Sequence, residues 1–291
     1  MALTVNTNTT SLGVQKNLNR ASDALATSMT RLSSGLKINS AKDDAAGLQI
    51  ATRMTSQIRG QTMAIKNAND GISIAQTAEG AMQEQTNMLQ RMRELALQAR
   101  NDSNSFKDRD ALNGEFQSML KEINRVSDST ELNGKKLLSG AAGTMTFQVG
   151  SNGGTGNQID ITLSAAMDSS TGGVLSDLGA NSTIAMSADD AAAATAYDAQ
   201  FQNVITAIDA ALQGINTTRA DLGAAQNRLT STINNLQNVN ENAEAARGRV
   251  QDTDFAAETA QLTKQQTLQQ ASTSVLAQAN QLPSAVLKLL G

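Results

Sequence analysis

The sequence predicts a mainly α-helical protein, built as a long antiparallel helical rod or coiled coil with a small β-hairpin insert. Aromatic residues make up only 2% of the 291 residues, and there is one proline, whereas compact cores usually depend on large rings for their buried area. Apolar residues also recur at three- and four-residue spacing before and after a short stretch in which they alternate. Such a composition and spacing are typical of long helices that bury narrow stripes.

The first half of the chain carries three apolar stripes at helical spacing. Near the amino terminus, leucines repeat every seven residues at Leu18, Leu25 and Leu32. A longer helix is predicted from a face that contains Ile65, Ala68, Ile72, Ala75, Met82, Leu89, Met92 and Leu95. A third helix follows, with its stripe at Leu112, Phe116, Met119, Ile123 and Val126. We interpret the methionines as core filling rather than as an adaptable binding surface.

Serine–aspartate pairs predict where helices begin. They occur at Ser40–Asp43, Ser105–Asp108 and Ser187–Asp190, where a serine hydroxyl can cap free amides and an acid faces the positive end of the helix dipole. Paired carboxylates at 43–44 and 189–190 could instead be a general acid and base. Their position in a first helical turn favours capping.

The middle of the chain alternates apolar and polar residues. Six apolar residues follow this pattern on either side of the glycine-rich stretch GSNGGTGN, namely Met145, Phe147, Val149, Ile159, Ile161 and Leu163. The pattern predicts a β-hairpin over 144–163. A phosphate-binding loop is disfavoured, because no helix begins directly after the glycines and no lysine follows at the required position. Residues 164–186 are weakly patterned and are expected to form a loop-rich excursion on the surface.

The clearest periodicity lies in the second half. An alternating four-three spacing is followed by Phe201, Ile205, Ile208, Leu212, Ile215, Leu222, Leu229, Ile233 and Leu236. Arg219 and Gln226 occupy the two positions where this pattern calls for an apolar residue. The pattern predicts a coiled-coil seam of about 35 residues, or roughly 50 Å.

The carboxyl terminus is a further amphipathic segment. A seven-residue repeat is formed by Leu268, Val275, Leu282 and Leu289, with Ala279 and Val286 four positions beyond two of them. We expect this helix to pair with the helix at the amino terminus. Since two helices alone leave much of both apolar stripes in water, the remainder should need other copies of the chain.

Composition also excludes several functions. Cysteine and histidine are both absent, which removes thiolate and histidine catalysis and most zinc sites. We therefore expect no enzyme, cofactor or metal, with catalysis by carboxylates alone a distant alternative. The net charge of −4 comes without a basic stripe, so nucleic acid is not an expected partner. No apolar run reaches the length of about 20 residues that spans a bilayer, and the start MALTVNTNTT lacks the pattern of a cleavable secretory signal.

Four separated blocks of sequence match a known family in the same order. They read SLGVQKNLNRASDALATSMTRLSSGLKINSAKDDAAGLQIATRM at 11–54, QRMRELALQA at 90–99, FQVGSN at 147–152 and TSVLAQANQLPSAVLKLL at 273–290. The chain thereby resembles bacterial flagellin over about residues 1–165 and 190–291. The resemblance implies an extracellular filament subunit that gives motility, is exported unfolded by the flagellar type III apparatus, and polymerises beneath a distal cap.

The resemblance also implies a division into domains. Residues 1–39 and 250–291 would form the inner tube of a helical filament, and residues 40–163 and 190–249 the surrounding rod domain. Many flagellins carry large variable outer domains at the place that 164–189 occupies here. This segment is therefore expected to be a short remnant of that region.

The resemblance implies partners and sites as well. The partners are other copies of the chain, flagellar cap and junction proteins, an export chaperone for the carboxyl-terminal segment, and a host Toll-like receptor for the monomer. A patch for receptor binding and assembly is carried over to Arg91, Leu95, Gln98 and Glu115. Self-assembly is assigned to the terminal stripes at Leu18, Leu25, Leu32, Leu268, Val275, Leu282, Val286 and Leu289.

Two other identities fit parts of the pattern. A hook–filament junction protein shares the terminal stripes, but FQVGSN and the near-complete match at both ends favour the filament subunit. A cytoplasmic coiled-coil scaffold would also be helical. Such a scaffold would not need an apolar stripe that runs to its last residues.

Overall fold

The computed structural model describes the backbone of residues 7–170, 173–184 and 191–290, and the side chains of these residues except 191–196 and 282–290. Its helices are α1 (Thr9–Ser34), α2 (Ala45–Ala99), α3 (Phe106–Ser129), α4 (Ser176–Ala180), α5 (Ala191–Gln251) and α6 (Phe255–Leu290). Two antiparallel pairs of strands separate α3 from α4, namely β1 (Glu131–Leu132) with β2 (Lys135–Lys136), and β3 (Gly143–Gln148) with β4 (Gln158–Leu163). The prediction of a mainly helical chain with a small hairpin insert is confirmed.

The chain divides into two compact units. The first contains Met1–Ile58 and Glu241–Gly291, and the second contains Arg59–Asn240. The first unit therefore joins the two ends of the chain, and the second is one continuous segment. The assignment of these segments to tube and rod domains of a filament stays a prediction.

In the second unit, α2 and α5 run antiparallel. Two contacts along their shared length follow one register: Gly71 lies against Leu229, and the Tyr197 hydroxyl donates a 2.9 Å hydrogen bond to the Ala99 carbonyl. The buried face of α2 consists of alanine and glycine over 64–78 and of larger residues from Met82 to Leu95. The small residues let α5 approach closely, and the larger ones fill the core that α3 completes.

The heptad repeat predicted for the α5 seam is confirmed. The second set of seam residues, predicted at Ile205 and Leu212, lies one residue earlier in the chain. Phe201, Ile208, Ile215, Leu222 and Leu229 are buried as expected. The line beside them consists of the smaller Val204, Ala211 and Ala225, all buried. Ile205, Leu212 and Ile233 pack against the edge of the core and are only partly buried. Close contact with the alanine face of α2 favours the smaller side chains at the centre.

The hairpin forms at the predicted place. Met145 pairs with Ile161 and Phe147 with Ile159, so the apolar residues of both strands share one face. The glycine-rich stretch forms the turn, which the Val149 amide closes with a 2.8 Å hydrogen bond to the Asn157 carbonyl. A Cβ atom on Gly71 of α2 would lie 3.3 Å from the Phe147 ring. The hairpin therefore packs directly on α2.

The expectation that residues 164–186 lie on the surface is wrong for the part that the structure describes. The segment is loop-rich, but Met167, Leu175, Leu178 and Ile184 are buried in the core of the second unit. Gln85 of α2 is fully buried and donates a 2.9 Å hydrogen bond to the Met167 carbonyl. These four apolar side chains have no regular spacing, so periodicity could not detect them. The segment closes the core.

The helix starts follow the predictions in part. Ser105 and Asp108 form a reciprocal capping box at α3, and the Ser105 hydroxyl and amide, which donate hydrogen bonds to the Asp108 carboxylate, lower its pKa. At 40–44 the roles differ from the prediction. Asp43 accepts hydrogen bonds from Ser40 within a turn, and Asp44 accepts from the Gly47 amide at the start of α2. The predicted box at 187–190, which includes the acids at 189–190, lies outside the described residues.

Candidate assembly surfaces

The helices from the two ends of the chain, α1 and α6, pair antiparallel within the first unit. At one end of the pair, Asn8 Nδ2 donates a 2.8 Å hydrogen bond to the Ala279 carbonyl. At the other, Arg31 Nη1 lies 3.7 Å from Glu258 Oε2. The Thr253 amide then donates to the Gly35 carbonyl at 3.0 Å. The predicted pairing of the terminal helices therefore occurs in a single chain.

The fully buried residues of this pair are small. Ala21 and Ser28 of α1 and Ala279 of α6 are buried, while Leu18, Leu25 and Leu32 are half-buried at its edges. Leu25 and Leu32 follow Ala21 and Ser28 by four residues, and Leu18 precedes Ala21 by three, so the leucines belong to the same side of the helix. Part of each leucine is consequently covered by α6, and part is left open.

On α6, the leucine and valine of the seven-residue repeat do not face α1. Leu268 is 45% exposed and Val275 is 47% exposed. Leu262, Gln269 and Leu276 are half-buried instead, and Leu268 and Val275 lie one residue, or about 100°, around the helix from the last two. The repeat thus marks a second apolar face of α6 rather than the face that pairs with α1. The side chains of Leu282 and Leu289, which continue this repeat, and of Val286, four positions beyond Leu282, lie outside the described residues.

Further apolar side chains of the first unit are open to solvent. Leu12 and Met29 on α1 and Phe255 at the start of α6 are each more than half exposed. An isolated exposed apolar side chain is ordinary, but several on two paired helices indicate a surface that another protein covers.

The four residues assigned to a receptor patch separate into two groups. Arg91 of α2 and Glu115 of α3 are exposed and form an ion pair, with 3.1 Å between Arg91 Nη2 and Glu115 Oε1. Arg91 also donates a 3.0 Å hydrogen bond to Glu94, and these two acceptors, Glu94 first, raise its pKa. Gln98 is exposed as well. Helix α3 thus brings Glu115 to Arg91, as the interpretation of the patch required.

Leu95 does not belong to the exposed patch. Its side chain is fully buried in the core of the second unit, so the expectation that it presents an apolar contact beside the charges is wrong. The face of α2 that carries Leu95 also carries Met92 and Leu89, which are fully buried too. Leu95 can therefore affect the patch only by supporting the backbone beneath it.

Two cation–π contacts could not be predicted from the sequence. The Arg109 guanidinium lies 4.7 Å from the centroid of the Tyr197 ring, and the Arg100 guanidinium lies 4.8 Å from that of Phe201. Burial raises the pKa of the Tyr197 hydroxyl. These contacts join the end of α2 and the start of α3 to α5. Residues so distant in sequence gave no periodic signal that could have revealed them.

Metal sites and membrane-spanning helices are both absent from the described part of the chain. It contains no group of three or more carboxylates that could hold a metal ion. None of its helices combines the length and apolar character needed to cross a bilayer.

Paired terminal helices with uncovered apolar faces define a helical subunit that associates with further protein, and comparison with known proteins identifies its kind. Residues 5–143 match the family described as the bacterial flagellin N-terminal helical region, and residues 205–290 match the bacterial flagellin C-terminal helical region. The chain belongs to the bacterial flagellin family. It is a structural subunit of the flagellar filament.

Individual relatives agree over their full length. Flagellin B of Vibrio anguillarum is 40% identical over 376 aligned residues, and Flagellin B of Vibrio cholerae serotype O1 is 41% identical over 382. In both cases all of this chain and all of the relative are covered. Since the aligned lengths exceed 291 residues, the relatives carry segments that this chain lacks.

A solved structure assigned to a flagellar hook-associated protein of Vibrio parahaemolyticus has the same fold. The TM-score is 0.61 at 16% identity, with 72% of this chain and 100% of that chain covered. At that identity the likeness shows a shared fold alone. The full-length flagellin relatives support the filament subunit over the junction protein.

Proposed function

We propose that the exposed apolar faces of α1 and α6 are the contacts through which copies of this chain build an extracellular filament. The observation that carries the proposal is the exposure of Leu268 and Val275 on a helix whose other face is already paired. Burial of an apolar side chain of this size contributes about 1.5–3 kcal/mol. In this proposal the terminal helices form the inner tube, and residues 40–163 and 190–249 form the rod domain. Residues 164–189 occupy the place at which many flagellins carry an outer domain.

The same exposed faces bear on the steps before assembly. Exposed apolar side chains promote association with whatever protein is nearest, so the carboxyl-terminal segment should be covered until the subunit reaches the growing end. An export chaperone for this segment, unfolded passage through the flagellar type III apparatus, and insertion beneath a cap would meet that need. Junction proteins would meet the same helices at the base of the filament. The chain would act without catalysis, as structural proteins of this family do.

A pair of charged substitutions tests the assembly face. Leu268→Asp with Val275→Asp should raise the critical concentration for polymerisation of purified subunits at least about a hundredfold, because a buried carboxylate without a partner costs several kcal/mol. The critical concentration is measured by sedimentation with wild-type seeds. Circular dichroism should show an unchanged monomer, since both side chains are half in water already.

The matched control adds the same charge at other exposed positions of α6. Gln266→Asp with Ser274→Asp introduces two carboxylates at exposed polar sites of the same helix. This variant should polymerise with a much smaller change in critical concentration. Equal effects of the two variants would show that net charge, and not the apolar face, controls assembly.

We further propose that Arg91, Gln98 and Glu115 contact a host Toll-like receptor in the monomer and a neighbouring subunit in the filament. Arginine is enriched among the residues that dominate interface energies, and Arg91 is held in place by Glu94 and Glu115. Arg91→Ala should reduce receptor activation by the monomer about tenfold. Arg125→Ala is the control, since Arg125 is also exposed and paired with an acid, Glu122. Receptor activation that is unchanged by Arg91→Ala in a reporter-cell assay would exclude this site.

A further inference from the structure

The carboxylate of Glu79 on α2 is held between two side chains of α5. Arg219 Nη2 lies 3.9 Å from Glu79 Oε1, and Gln226 Nε2 donates a 2.9 Å hydrogen bond to Glu79 Oε2. The two α5 residues are seven positions apart, which is two helical turns or about 10 Å. One carboxylate therefore contacts both ends of a two-turn window on the facing helix.

Arg219 and Gln226 interrupt a line of apolar residues on α5. The line repeats every seven residues and contains Ile205, Leu212 and Ile233, which pack against the edge of the core. The polar pair occupies the two positions between Leu212 and Ile233. The interruption therefore falls where Glu79 faces α5, and the line is apolar on both sides of it.

Along the alanine stretch 64–78 of α2, apolar packing by itself is compatible with alignments of α5 that differ in steps of seven residues. A Cβ atom on Gly71 would lie 3.2 Å from Leu229 Cδ1, so a leucine fills the space that this glycine leaves. A shift of α5 by seven residues would place Leu222 or Leu236 at the same point. The neighbouring buried face of α2 consists of Ala64, Ala68, Ala75 and Ala78, none of which is large enough to exclude the shifted alignment.

The polar residues remove this ambiguity. After a shift of seven residues, Glu79 would lie between Leu212 and Arg219, or between Gln226 and Ile233. Either alignment keeps one donor and sets the carboxylate against an aliphatic side chain, which disfavours its charged form. Only the observed alignment gives both carboxylate oxygens a donor.

The geometry points to specificity rather than to stability. The Glu79 and Arg219 side chains are 37% and 27% exposed, and ion pairs this open to water contribute little to stability. Arg219 Nε is moreover buried without a hydrogen-bond partner. A polar residue in a coiled-coil seam commonly fixes the register at a cost in stability. We propose that Glu79, Arg219 and Gln226 form a register clamp that fixes the alignment of α5 along α2.

Cross-linking of introduced cysteines can measure the register, because the chain has no cysteine of its own. Arg93→Cys with Asp209→Cys reports the observed alignment, since Arg93 Nε and Asp209 Oδ1 are 3.1 Å apart. Arg93→Cys with Gln202→Cys, or with Asn216→Cys, reports shifts of seven residues in the two directions. Each pair is treated with a short bifunctional thiol reagent after the monomer has been refolded from denaturant.

With the clamp intact, only the 93–209 pair should cross-link efficiently. In the triple variant Glu79→Leu, Arg219→Leu and Gln226→Leu, cross-linking of the two shifted pairs should rise about tenfold. The reason is that the hydrogen bonds to the charged carboxylate, which favour the observed alignment over the shifted ones, are gone. The thermal midpoint should stay the same or rise. The exchanged pair Glu79→Arg with Arg219→Glu, made in the wild-type background, should keep a single register. Glu122→Leu with Arg125→Leu removes an ordinary surface ion pair on α3 and should leave the register unchanged.

If only the 93–209 pair cross-links in the triple-leucine background, the proposal is overturned, because the rest of the fold then suffices to set the alignment. Should that variant fail to refold, Glu79→Gln provides the decision. It removes the charge and leaves an amide that can still meet Gln226, so the shifted products should rise about threefold. Unchanged cross-linking by Glu79→Gln would contradict the clamp. All measurements use the monomer, so they stand apart from the outcome of filament assembly.

Discussion

Leu95→Ala is expected to lower the free energy of unfolding by about 2–5 kcal/mol, the range for removal of a buried leucine side chain. Leu95 is fully buried in the core of the second unit. The substitution removes apolar contacts and leaves a cavity that helices on either side can fill only in part. Urea denaturation of the monomer, followed by circular dichroism, measures the loss.

Leu97→Ala is the matched control. It removes the same atoms from the same helix two residues further on, where the leucine is 50% exposed. The free energy of unfolding should change by less than about 1 kcal/mol. Equal losses for the two variants would contradict the buried position of Leu95. Weaker activation of the host receptor by Leu95→Ala would therefore reflect an altered fold rather than a lost contact.

Deletion of residues 280–291 should abolish polymerisation and leave the second unit folded. The deletion removes the end of α6 together with Leu282, Val286 and Leu289 of the predicted assembly stripe. It also removes Asn280 Oδ1, which accepts a 2.8 Å hydrogen bond from the Ser11 hydroxyl of α1. The second unit contains none of these residues. Electron microscopy of the truncated protein should show no filaments at concentrations at which the full chain forms them.

Hydrogen exchange supplies the control for this deletion. Amide protection within 61–95 and 201–236 should be the same in the truncated and full-length monomers, because these stretches pair with each other. Normal filaments from the truncated chain would show that the last residues are not needed for assembly. Loss of protection within 61–95 would show instead that the deletion unfolds the subunit. The role of α6 in assembly would then be decided by Leu268→Asp with Val275→Asp.

The long helices could be predicted from sequence because their apolar residues repeat regularly over many turns. The seam on α5 was found from its heptads, yet periodicity could not decide between Val204 and Ile205 as its second line. Both are apolar and adjacent, and what decides is the size of the residues opposite, here the alanines of α2. Such information belongs to the pairing of two helices and is absent from either helix alone.

The candidate sites show a similar limit. That Arg91 and Glu115 lie together is implied by the resemblance to flagellin, and the ion pair between them agrees with it. The burial of Leu95 is implied by its place in the apolar stripe of α2, which is incompatible with a place in an exposed patch. On α6, Leu268 and Val275 were recognised as a stripe, but sequence could not show which of two apolar faces α1 covers. Glu79 gave no signal, because a single acid in a helix is ordinary until its partners are known.

The segment that closes the core has a consequence for how chains of this kind can differ in length. The Val174 amide donates a 2.8 Å hydrogen bond to the Ala166 carbonyl, and the Gly173 amide donates a 3.0 Å bond to the Ser170 carbonyl. The chain thus leaves and re-enters the core at neighbouring points. An insertion between Ser170 and Gly173 would begin and end at these neighbouring points, and Met167 and Leu175 would stay buried in the core. Its cost would be mainly the entropy of closing a longer loop, which grows slowly with length, so whole domains could be gained or lost here while the helices keep their places.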